Sequence, residues 1–533
     1  MHADAFDYII VGGGTAGCVL ANRLSENSKH SVLVLEAGKR DSNQWIHIPV
    51  GYFKTMHNPA TDWCYNTEPD PGLNHRSIKW PRGKVLGGSS SINGLLYVRG
   101  QKEDYDDWEK AGNPGWSYEN MLPYFIRCEH QERGADEYHG QNGMLKVSDM
   151  RIRRAVGDAF IKGAEEIGIP HNNDFNGATQ EGVGYYQLTA WKGRRCSSAV
   201  GYLKPALNRS KLKVVTNALT DRIVIDENRA SAVEYQHDGK KLTVRANREV
   251  ILSAGAINSP QLLMLSGIGN PDHLREFQIP VKHNLPGVGE NLHDHLQIRS
   301  VYRCSVKTLN DEIRNPIYKM LIGLQYFAFR TGPMSMAASQ IGIFTGSLPH
   351  IRRPDIQFHF QPLSSDSPGQ GVHNYSGITS SVTQLRPTSR GNLQLRSANP
   401  QDYIAIHPNY LATEEDQVTT VNAMKVSRAI ANSKAMSQYV EEEVLPGDQV
   451  QTDEELLDCA RSIGETIYHP VGTCKMGSVS DPMAVVDSTL TVHGINGLRV
   501  VDASIIPMIT SGNTNAPTFA IAEKAADMIL GKG

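Results

Sequence analysis

The 533-residue sequence has no apolar run approaching the roughly 18 residues that a membrane-spanning helix needs. It also has no excess of either charge, with 53 Lys and Arg against 56 Asp and Glu. No basic cluster suited to nucleic acid is present. These absences predict no transmembrane segment and no nucleic-acid partner. They are typical of a soluble globular chain, and the length suggests roughly two to four domains.

Cysteine is scarce and scattered. The seven cysteines never occur as C-x-x-C, and their number is odd. This pattern argues against a disulfide framework or a zinc site and favours a reducing compartment. The first five residues are too few for a secretory signal, because an apolar run begins directly after them. We therefore expect a cytoplasmic protein.

The first forty residues carry a strand, glycine turn, helix and strand pattern. Residues 8–11 and 32–35 are short apolar runs typical of buried strands, and the second ends in Glu36. Between them lie glycines with the G-x-G-x-x-G spacing: Gly12, Gly14 and Gly17. Such glycines permit close approach of a pyrophosphate, and the acid binds ribose hydroxyls. The pattern predicts a dinucleotide site rather than a purely structural unit, and leaves FAD and NAD open.

A second stretch rich in glycine and serine occupies residues 80–100. Its small residues stand between apolar runs at 85–86 and 92–98. Small residues with free backbone donors suit a loop against phosphates or a flavin edge. A plain linker would not be flanked in this way, so we interpret the stretch as cofactor-binding.

His293, Asp294 and His295 raise the question of a metal site. Residues two apart do not face the same way on a helix, and no further ligand cluster is nearby. We predict no metal.

The last seventy residues again contain chemically useful groups. His469 precedes a proline, and residues 498–502 predict a strand that ends in Asp502. Asn513 lies in a polar turn before a final helix over 519–530. The positive end of that helix is expected to face an electron-rich part of a cofactor.

Several separated stretches together resemble the glucose-methanol-choline (GMC) oxidoreductase family. The N-terminal unit is one, and residues 83–106, GKVLGGSSSINGLLYVRGQKEDYD, are similar to the family's first signature. Residues 255–269, GAINSPQLLMLSGIG, are similar to its second, and the segments around His469 and Asn513 resemble its active-site region. The resemblance covers nearly the whole chain. It is strongest to the bacterial alcohol dehydrogenase branch, with enzymes for sorbose, polyethylene glycol, aliphatic alcohols and choline.

The resemblance implies an α/β fold, α+β overall, with two interleaved domains. A Rossmann-like FAD-binding domain would be discontinuous, and a substrate-binding domain would be built on a mostly antiparallel six-stranded sheet. Strands expected between 355 and 396 would belong to that sheet. The first domain is assigned 1–150, 196–300 and 455–533, and the second 151–195 and 301–454.

The resemblance also implies bound FAD. The adenosine half would contact Gly12, Gly14, Thr15, Ala16, Gly17, Glu36 and Ala37. The first signature would pass the pyrophosphate and flavin with Gly83, Gly87, Gly88, Ser89, Asn93, Gly94 and Leu95. Further contacts would come from Thr220, Ala254, Asp502, Ala503, Asn515, Pro517 and Thr518. Some relatives attach FAD covalently through a histidine where this chain has Ile92, so we expect noncovalent FAD.

The catalytic pair implied by the resemblance is His469 and Asn513. A histidine suits the removal of an alcohol O–H proton while the hydride moves to flavin N5, because its pKa lies near neutrality. Asn513 would hydrogen-bond the alcohol oxygen. The alternatives are structural roles, before a proline turn for His469 and within a turn for Asn513.

Choline-type relatives often have a glutamate within the segment matching 334–345, and we align Gln340 with it. Without that carboxylate a quaternary ammonium group lacks a counter-charge, so a neutral alcohol is expected.

The function implied is oxidation of a primary or secondary alcohol to an aldehyde or ketone, with electrons passed to a quinone or another non-oxygen acceptor. An oxidase that forms H2O2 remains open, and a non-redox hydroxynitrile lyase is less favoured. A binding or scaffold role is favoured least. Residues 313–330 carry an apolar face, for which there are two interpretations. The favoured one is a helix that covers the substrate channel or the core. The other is a helix that rests on the inner face of the cell membrane.

Overall fold

The computed structural model describes residues 5–366 and 371–532. The predicted domain boundaries also include residues 1–4, 367–370 and 533, which lie outside the described residues. Two large sheets contain these strands, numbered in chain order: β1 (Ala5–Val11), β2 (Val32–Glu36), β3 (Gly182–Tyr185), β4 (Leu212–Thr216), β5 (Leu219–Asp226), β6 (Arg229–His237), β7 (Lys240–Leu252), β8 (Leu296–Cys304), β9 (Ile341–Thr345), β10 (Ile356–Gln361), β11 (Gly377–Gln384), β12 (Val440–Leu445), β13 (Glu465–Thr466) and β14 (Leu498–Val500).

The helices that matter for the site and the surface are α1 (Thr15–Leu24), α2 (Lys102–Lys110), α3 (Tyr118–Cys128), α4 (Ala155–Glu166), α5 (Gly255–Leu265), α6 (Leu309–Arg314), α7 (Pro316–Phe329), α8 (Glu414–Ala431), α9 (Asp453–Ile463) and α10 (Asn515–Leu530).

The first sheet has the order β4–β2–β1–β7–β6–β5, and β14 pairs with β7. Strands β4, β2, β1 and β14 and the second half of β7 run parallel, while β5 and β6 form an antiparallel extension. The central strands are buried apolar runs, as expected for parallel strands covered on both faces. Helix α1 packs on β1 and β2, and α10 packs on α1. The predicted strand–turn–helix–strand unit is confirmed.

The turn after β1 depends on glycine. Gly12 has a φ of +104°, and a Cβ there would lie 2.4 Å from the carbonyl oxygen of Ser253. A Cβ on Gly17 would lie 1.9 Å from the carbonyl oxygen of Gly12. No side chain fits at either position, because α1 and the end of β7 approach the turn too closely.

The second sheet is antiparallel, with the order β12–β8–β11–β10–β9–β3 and the two-residue strand β13 beside β8. Its six longer strands match the sheet that the family resemblance implied. Of the strands expected between 355 and 396, β10 and β11 belong to this sheet, but Asn392–Gln394 pairs with Ala405–His407 in a separate two-stranded sheet, so that part of the prediction is wrong. One predicted boundary is wrong in detail, because the division after residue 300 cuts through β8. We propose moving that boundary to residue 295; the remaining domain assignment stays a proposal.

Helix α7 lies on the outside of the molecule. Its one buried residue is Tyr326, whose hydroxyl donates to the carbonyl oxygen of Gly193. The apolar side chains are exposed, from 49% for Leu321 to 75% for Phe329. The favoured interpretation, a helix covering the channel or core, is therefore wrong, since the apolar face points to solvent. Within the described ranges, no helix has the length and apolar character to cross a membrane.

The contact at Gly17 gives a stability prediction. We expect Gly17→Ala to lower the free energy of unfolding by about 2–3 kcal/mol, because the methyl group forces α1 away from β1. The matched control is Gly323→Ala, where a Cβ would meet nothing within 4 Å and helix propensity rises. Urea unfolding of both holoproteins measures the difference. Equal midpoints for the two variants would contradict the steric argument.

Candidate active site

An elongated cavity is lined by residues of both large sheets. It is lined by both candidate catalytic residues and by most of the predicted cofactor contacts: Gly12, Gly14, Thr15, Ala16, Glu36, Ala37, Gly83, Gly88, Ser89, Asn93, Gly94, Leu95, Thr220, Ala254, Asp502, Ala503, Asn515 and Thr518. Gly17, Gly87 and Pro517 do not line it. Gly17 and Pro517 lie within helices, and Gly87 turns the chain with its N–H donating to Gly13.

Glu36 stands at one end of the cavity, where β2 ends. Its carboxylate accepts hydrogen bonds from the backbone N–H groups of Gly13, at 2.8 Å, and Gly38, at 2.7 Å. Burial raises the pKa of Glu36 to about 7, although the two N–H groups oppose this effect. A carboxylate fixed in this way can still accept from ribose hydroxyls on its cavity side.

The walls of the cavity fit a dinucleotide. The hydroxyl oxygens of Thr220 and Ser253 line it and have no hydrogen-bond partner in the described part of the chain. A Cβ on Gly88 would lie 2.8 Å from the Cα of Gly14, so the two glycine loops touch without side chains. The hydroxyl of Thr15, at the start of α1, donates to the side-chain oxygen of Asn515, at the start of α10. Two helix N-termini thus face the cavity, an arrangement that suits phosphates.

His469 and Asn513 lie side by side in the wall of the cavity. The amide nitrogen of Asn513 lies 3.0 Å from Nε2 of His469. On its other side, Nδ1 of His469 lies 3.0 Å from Nδ1 of His295. The remaining nitrogen of His295, Nε2, lies 2.9 Å from the carbonyl oxygen of Leu385.

These contacts determine where the protons lie. The carbonyl oxygen of Leu385 can only accept, so Nε2 of His295 carries a proton and its Nδ1 accepts from Nδ1–H of His469. The lone pair of His469 is therefore on Nε2, where the amide of Asn513 donates to it. Burial, helped by the nearby His295, lowers the pKa of His469 well below 6.5. His469 is thus held neutral with its basic nitrogen at the cavity.

Sequence reasoning missed the role of His295. The spacing of His293, Asp294 and His295 was tested against a helix, whereas the segment leads into strand β8. The alternation of a strand sends the neighbours to different partners. Asp294 accepts from the backbone N–H of His469 at 2.6 Å and from the hydroxyls of Thr466 and Tyr410, each at 2.5 Å.

His293 points away from that group. Its Nδ1 lies 2.7 Å from the carbonyl oxygen of Asn291, and its Nε2 accepts from the N–H of Ile509 at 2.9 Å. Among residues 5–366 and 371–532, no three His, Cys, Asp or Glu side chains gather in a way that could hold a metal ion.

The predicted alignment of Gln340 with a substrate-binding glutamate is not supported by its surroundings. The side chain of Gln340 is fully buried, its amide nitrogen lies 3.0 Å from the sulfur of Met336, and it does not line the cavity. The positions that do are Ser339 and Gln361, which are hydrogen-bonded to each other at 3.3 Å. Ser339 and Gln340 are neighbours in the segment that leads into β9, and only the first of them faces the cavity.

The charges around the cavity are unevenly distributed. The carboxylates among its lining residues are Glu36 and Asp502, both at predicted cofactor positions. The lining cations are Arg82 and Arg299, near His469 and on β8 respectively. Arg299 is buried and its Nε has no hydrogen-bond partner in the described chain. Glu465 acts on the pKa of Arg299 but does not line the cavity, so Arg82 and Arg299 are the charged arginine, lysine, aspartate or glutamate side chains that line it outside the predicted cofactor positions.

Comparison with known proteins decides the family. The GMC oxidoreductase models match residues 6–297 and 387–522, which together make up most of the chain. The chain belongs to the GMC oxidoreductase family. This GMC oxidoreductase is 44% identical to mitochondrial choline dehydrogenase of Mus musculus, covering 99% of this chain and 90% of the relative. It is 43% identical to alcohol dehydrogenase [acceptor] of Pseudomonas putida, covering 99% and 96%.

A solved structure gives the same result at the level of the fold. Formate oxidase of Aspergillus oryzae, in a variant examined for modification of its FAD, is 27% identical with a TM-score of 0.91. The match covers 99% of this chain and 98% of that one. The GMC oxidoreductase described here is therefore an FAD-dependent enzyme acting on CH–OH donors. The expected fold class, cofactor and reaction type are confirmed, and the individual residue roles stay predictions.

The position of His295 generates a prediction about catalysis. We expect His295→Leu to lower kcat roughly 100-fold while KM and FAD content change little, because His469 loses the acceptor that fixes its tautomer. His295→Asn places an amide oxygen near the position of Nδ1 and should restore most of the rate. The pH profile of kcat/KM in the wild type should stay flat down to about pH 6, since the pKa of His469 is depressed. A leucine variant with normal kcat would contradict the role of His295.

The attachment of FAD gives a second prediction. Ile92 lies in the cavity wall with 3% of its surface exposed, and its side chain has no atom that could bond to the flavin. Precipitation of the holoprotein with acid should release all flavin absorbance into the supernatant. Flavin that stays in the washed pellet would show a covalent link through another residue.

Proposed function

We propose that this GMC oxidoreductase oxidises a neutral primary or secondary alcohol to an aldehyde or ketone and passes the electrons to a quinone or similar non-oxygen acceptor. The observation that carries the proposal is the basic Nε2 of His469, held next to the amide of Asn513 at the cavity. The segments 1–150, 196–295 and 455–533 would hold FAD, and the remainder would bind the alcohol.

His469 acts as the general base in this proposal. When bound, FAD supplies the acceptor for the hydride that leaves the carbinol carbon. Nε2 of His469 takes the proton from the alcohol oxygen, so that the C–O bond becomes a carbonyl and the substrate loses two electrons in total. Because the pKa of His469 is low, the imidazolium formed gives its proton up readily to solvent after the product leaves.

Asn513 positions the alcohol. One N–H of its amide donates to His469, and the second N–H is available to the alcohol oxygen, where negative charge develops. The amide oxygen of Asn513 lies 3.4 Å from the amide nitrogen of Gln357 on β10. This contact supports an orientation in which the nitrogen, and not the oxygen, of Asn513 faces the base.

The lining of the cavity supports a neutral substrate. A quaternary ammonium alcohol is favoured by a nearby carboxylate, and the carboxylates that line this cavity, Glu36 and Asp502, lie at predicted cofactor positions. The buried guanidinium of Arg299 opposes a cation directly. The opposite wall is apolar, with Tyr52, Met56, Ile92 and Leu96. These features distinguish the proposed substrate from the choline named for the mouse relative.

One relative supports the proposed acceptor, because the Pseudomonas putida protein carries the name alcohol dehydrogenase [acceptor]. Peripheral contact with a membrane would bring a lipid-soluble acceptor within reach.

A matched pair of alcohols tests the substrate class. Under anaerobic conditions 3,3-dimethylbutan-1-ol should bleach the oxidised flavin, whereas choline, with the same shape and a positive charge, should react at least tenfold more slowly. His469→Ala should keep its FAD and lose about 100-fold or more in kcat. Preference for choline would overturn the neutral substrate, and normal turnover by His469→Ala would overturn the base assignment.

The acceptor is tested with the best alcohol found in that panel. Reduction of a soluble quinone should exceed peroxide formation in air by a wide margin. Peroxide formation at the rate of alcohol consumption would instead make the protein an oxidase. An unbleached flavin with every alcohol would favour the non-redox lyase.

A further inference from the structure

Helix α7 presents apolar side chains to solvent along its whole length. Five of them follow helical spacing on one stripe: Ile317, Met320, Leu321, Leu324 and Phe327, which are 64%, 59%, 49%, 59% and 57% exposed. Tyr318 and Phe329 extend the stripe at its sides and are also more than half exposed. A contiguous patch of this kind is rare on a monomeric surface and marks a site of interaction.

The charge around the patch is positive. Between Ile313 and Pro354 the sequence contains no Asp or Glu. Arg314, Lys319 and Arg330 stand at the two ends and the side of α7, and none of them has a carboxylate partner within the part of the chain that the structure describes. The guanidinium of Arg330 lies over the rings of Tyr326 and Phe327, and the preceding acid, Glu312, is paired with Arg154. Cations without a carboxylate partner beside an apolar stripe complement a surface that is both apolar and anionic.

The C-terminal end of α7 adds further cations. The backbone of Arg330 packs against Gly193, since a Cβ there would lie 2.1 Å from the Arg330 carbonyl oxygen. Lys192 and Arg194, on either side of Gly193, are exposed. The basic groups therefore form a partial ring around the apolar stripe.

The patch is connected to the candidate active site. The chain that leaves α7 passes through residues 333–338 to Ser339, which lines the cavity. The N–H of Ala338 donates to the hydroxyl of Tyr52, another lining residue, at 3.3 Å. The segment after α7 thus links the patch to the cavity wall within about ten residues of chain.

We propose that α7 docks on the anionic surface of a lipid bilayer, lying in the plane of the interface with its apolar stripe among the acyl chains. Fourteen residues of helix are about 21 Å long, which suits a helix lying on a membrane and not one crossing it. The purpose of this docking rests on the proposed quinone acceptor, because a lipid-soluble quinone would enter the protein from the same surface. The binding itself does not depend on turnover.

Vesicle sedimentation tests the docking with the holoenzyme. The wild type should pellet with vesicles of phosphatidylcholine mixed with phosphatidylglycerol, and much less with phosphatidylcholine alone. The variant L321S/L324S/F327S should bind on the order of 100-fold more weakly, because three half-exposed apolar groups are lost. The variant R314Q/K319Q/R330Q should lose about fivefold per charge, and high salt should have the same effect on the wild type.

Two matched controls locate the effect on α7. The variant V418S/V479S removes exposed apolar groups elsewhere, at side chains that are 47% and 84% exposed. The variant K162Q/K240Q/K434Q changes the net charge as much as the arginine and lysine variant, at exposed positions away from α7. Both controls should bind vesicles like the wild type. Equal losses in controls and α7 variants would overturn the proposal.

The remaining outcomes separate docking from catalysis. All α7 variants should keep wild-type turnover with a water-soluble acceptor, and should lose turnover with a quinone embedded in vesicles. Absence of turnover with every acceptor, alongside normal vesicle binding, would defeat the proposed function but not the docking. The docking would be overturned if the wild-type protein did not bind vesicles and instead formed a dimer that the substitutions L321S/L324S/F327S dissociate. The patch would then bind a second copy of the chain.

Discussion

Three backbone segments meet around Gly12 and Gly88, where there is no room for side chains, and the cavity takes its form from that contact. The turn after β1 lies against the end of β7 on one side and against the loop of residues 83–94 on the other. Because the backbones touch, their N–H groups and the start of α1 open directly onto the cavity. A side chain at Gly12 or Gly88 would separate the segments and displace the groups that can hold a phosphate chain.

The tautomer of His469 is fixed by residues next to the strands of the second sheet. Leu385 follows β11 directly, and its carbonyl oxygen holds the proton on Nε2 of His295, which precedes β8. His295 in turn fixes the proton on Nδ1 of His469. The carbonyl oxygen of Leu385, acting through His295, therefore sets the position of the proton on His469. No carboxylate takes part in this series of hydrogen bonds. A neutral relay suits a base that must stay unprotonated in a buried place, since an adjacent carboxylate would raise its pKa.

Local patterns predicted the local parts of this structure well. The β1–α1–β2 unit and the first signature were recognisable because glycine spacing and apolar runs act over a few residues. The site residues also gathered in one cavity, although His469 and Asn513 lie far from Gly12 in sequence. What failed were inferences about direction. Gln340 was aligned with a glutamate of choline-type relatives, but its neighbour Ser339 is the residue that lines the cavity, because the direction of a side chain is not visible in a variable segment.

The apolar pattern of α7 failed in the same way, since periodicity reveals a face but not what covers it. The role of His295 was missed because residues 293–295 were judged as part of a helix, whereas they lead directly into strand β8. Its partner Leu385 comes from another part of the chain, so no local signal marks the pair.

The packing of α10 on α1 has a consequence for how the protein is made. The buried carboxylate of Glu523 binds the guanidinium of Arg23 on α1 and the hydroxyl of Tyr202, so the last helix of the chain completes a structure begun by the first. A ribosome produces α1 long before α10. Until α10 has been made, the apolar side of α1 stays exposed or is shielded by chaperones. The flavin site cannot close before that point, so capture of the cofactor waits for a segment made several hundred residues after the nucleotide-binding turn.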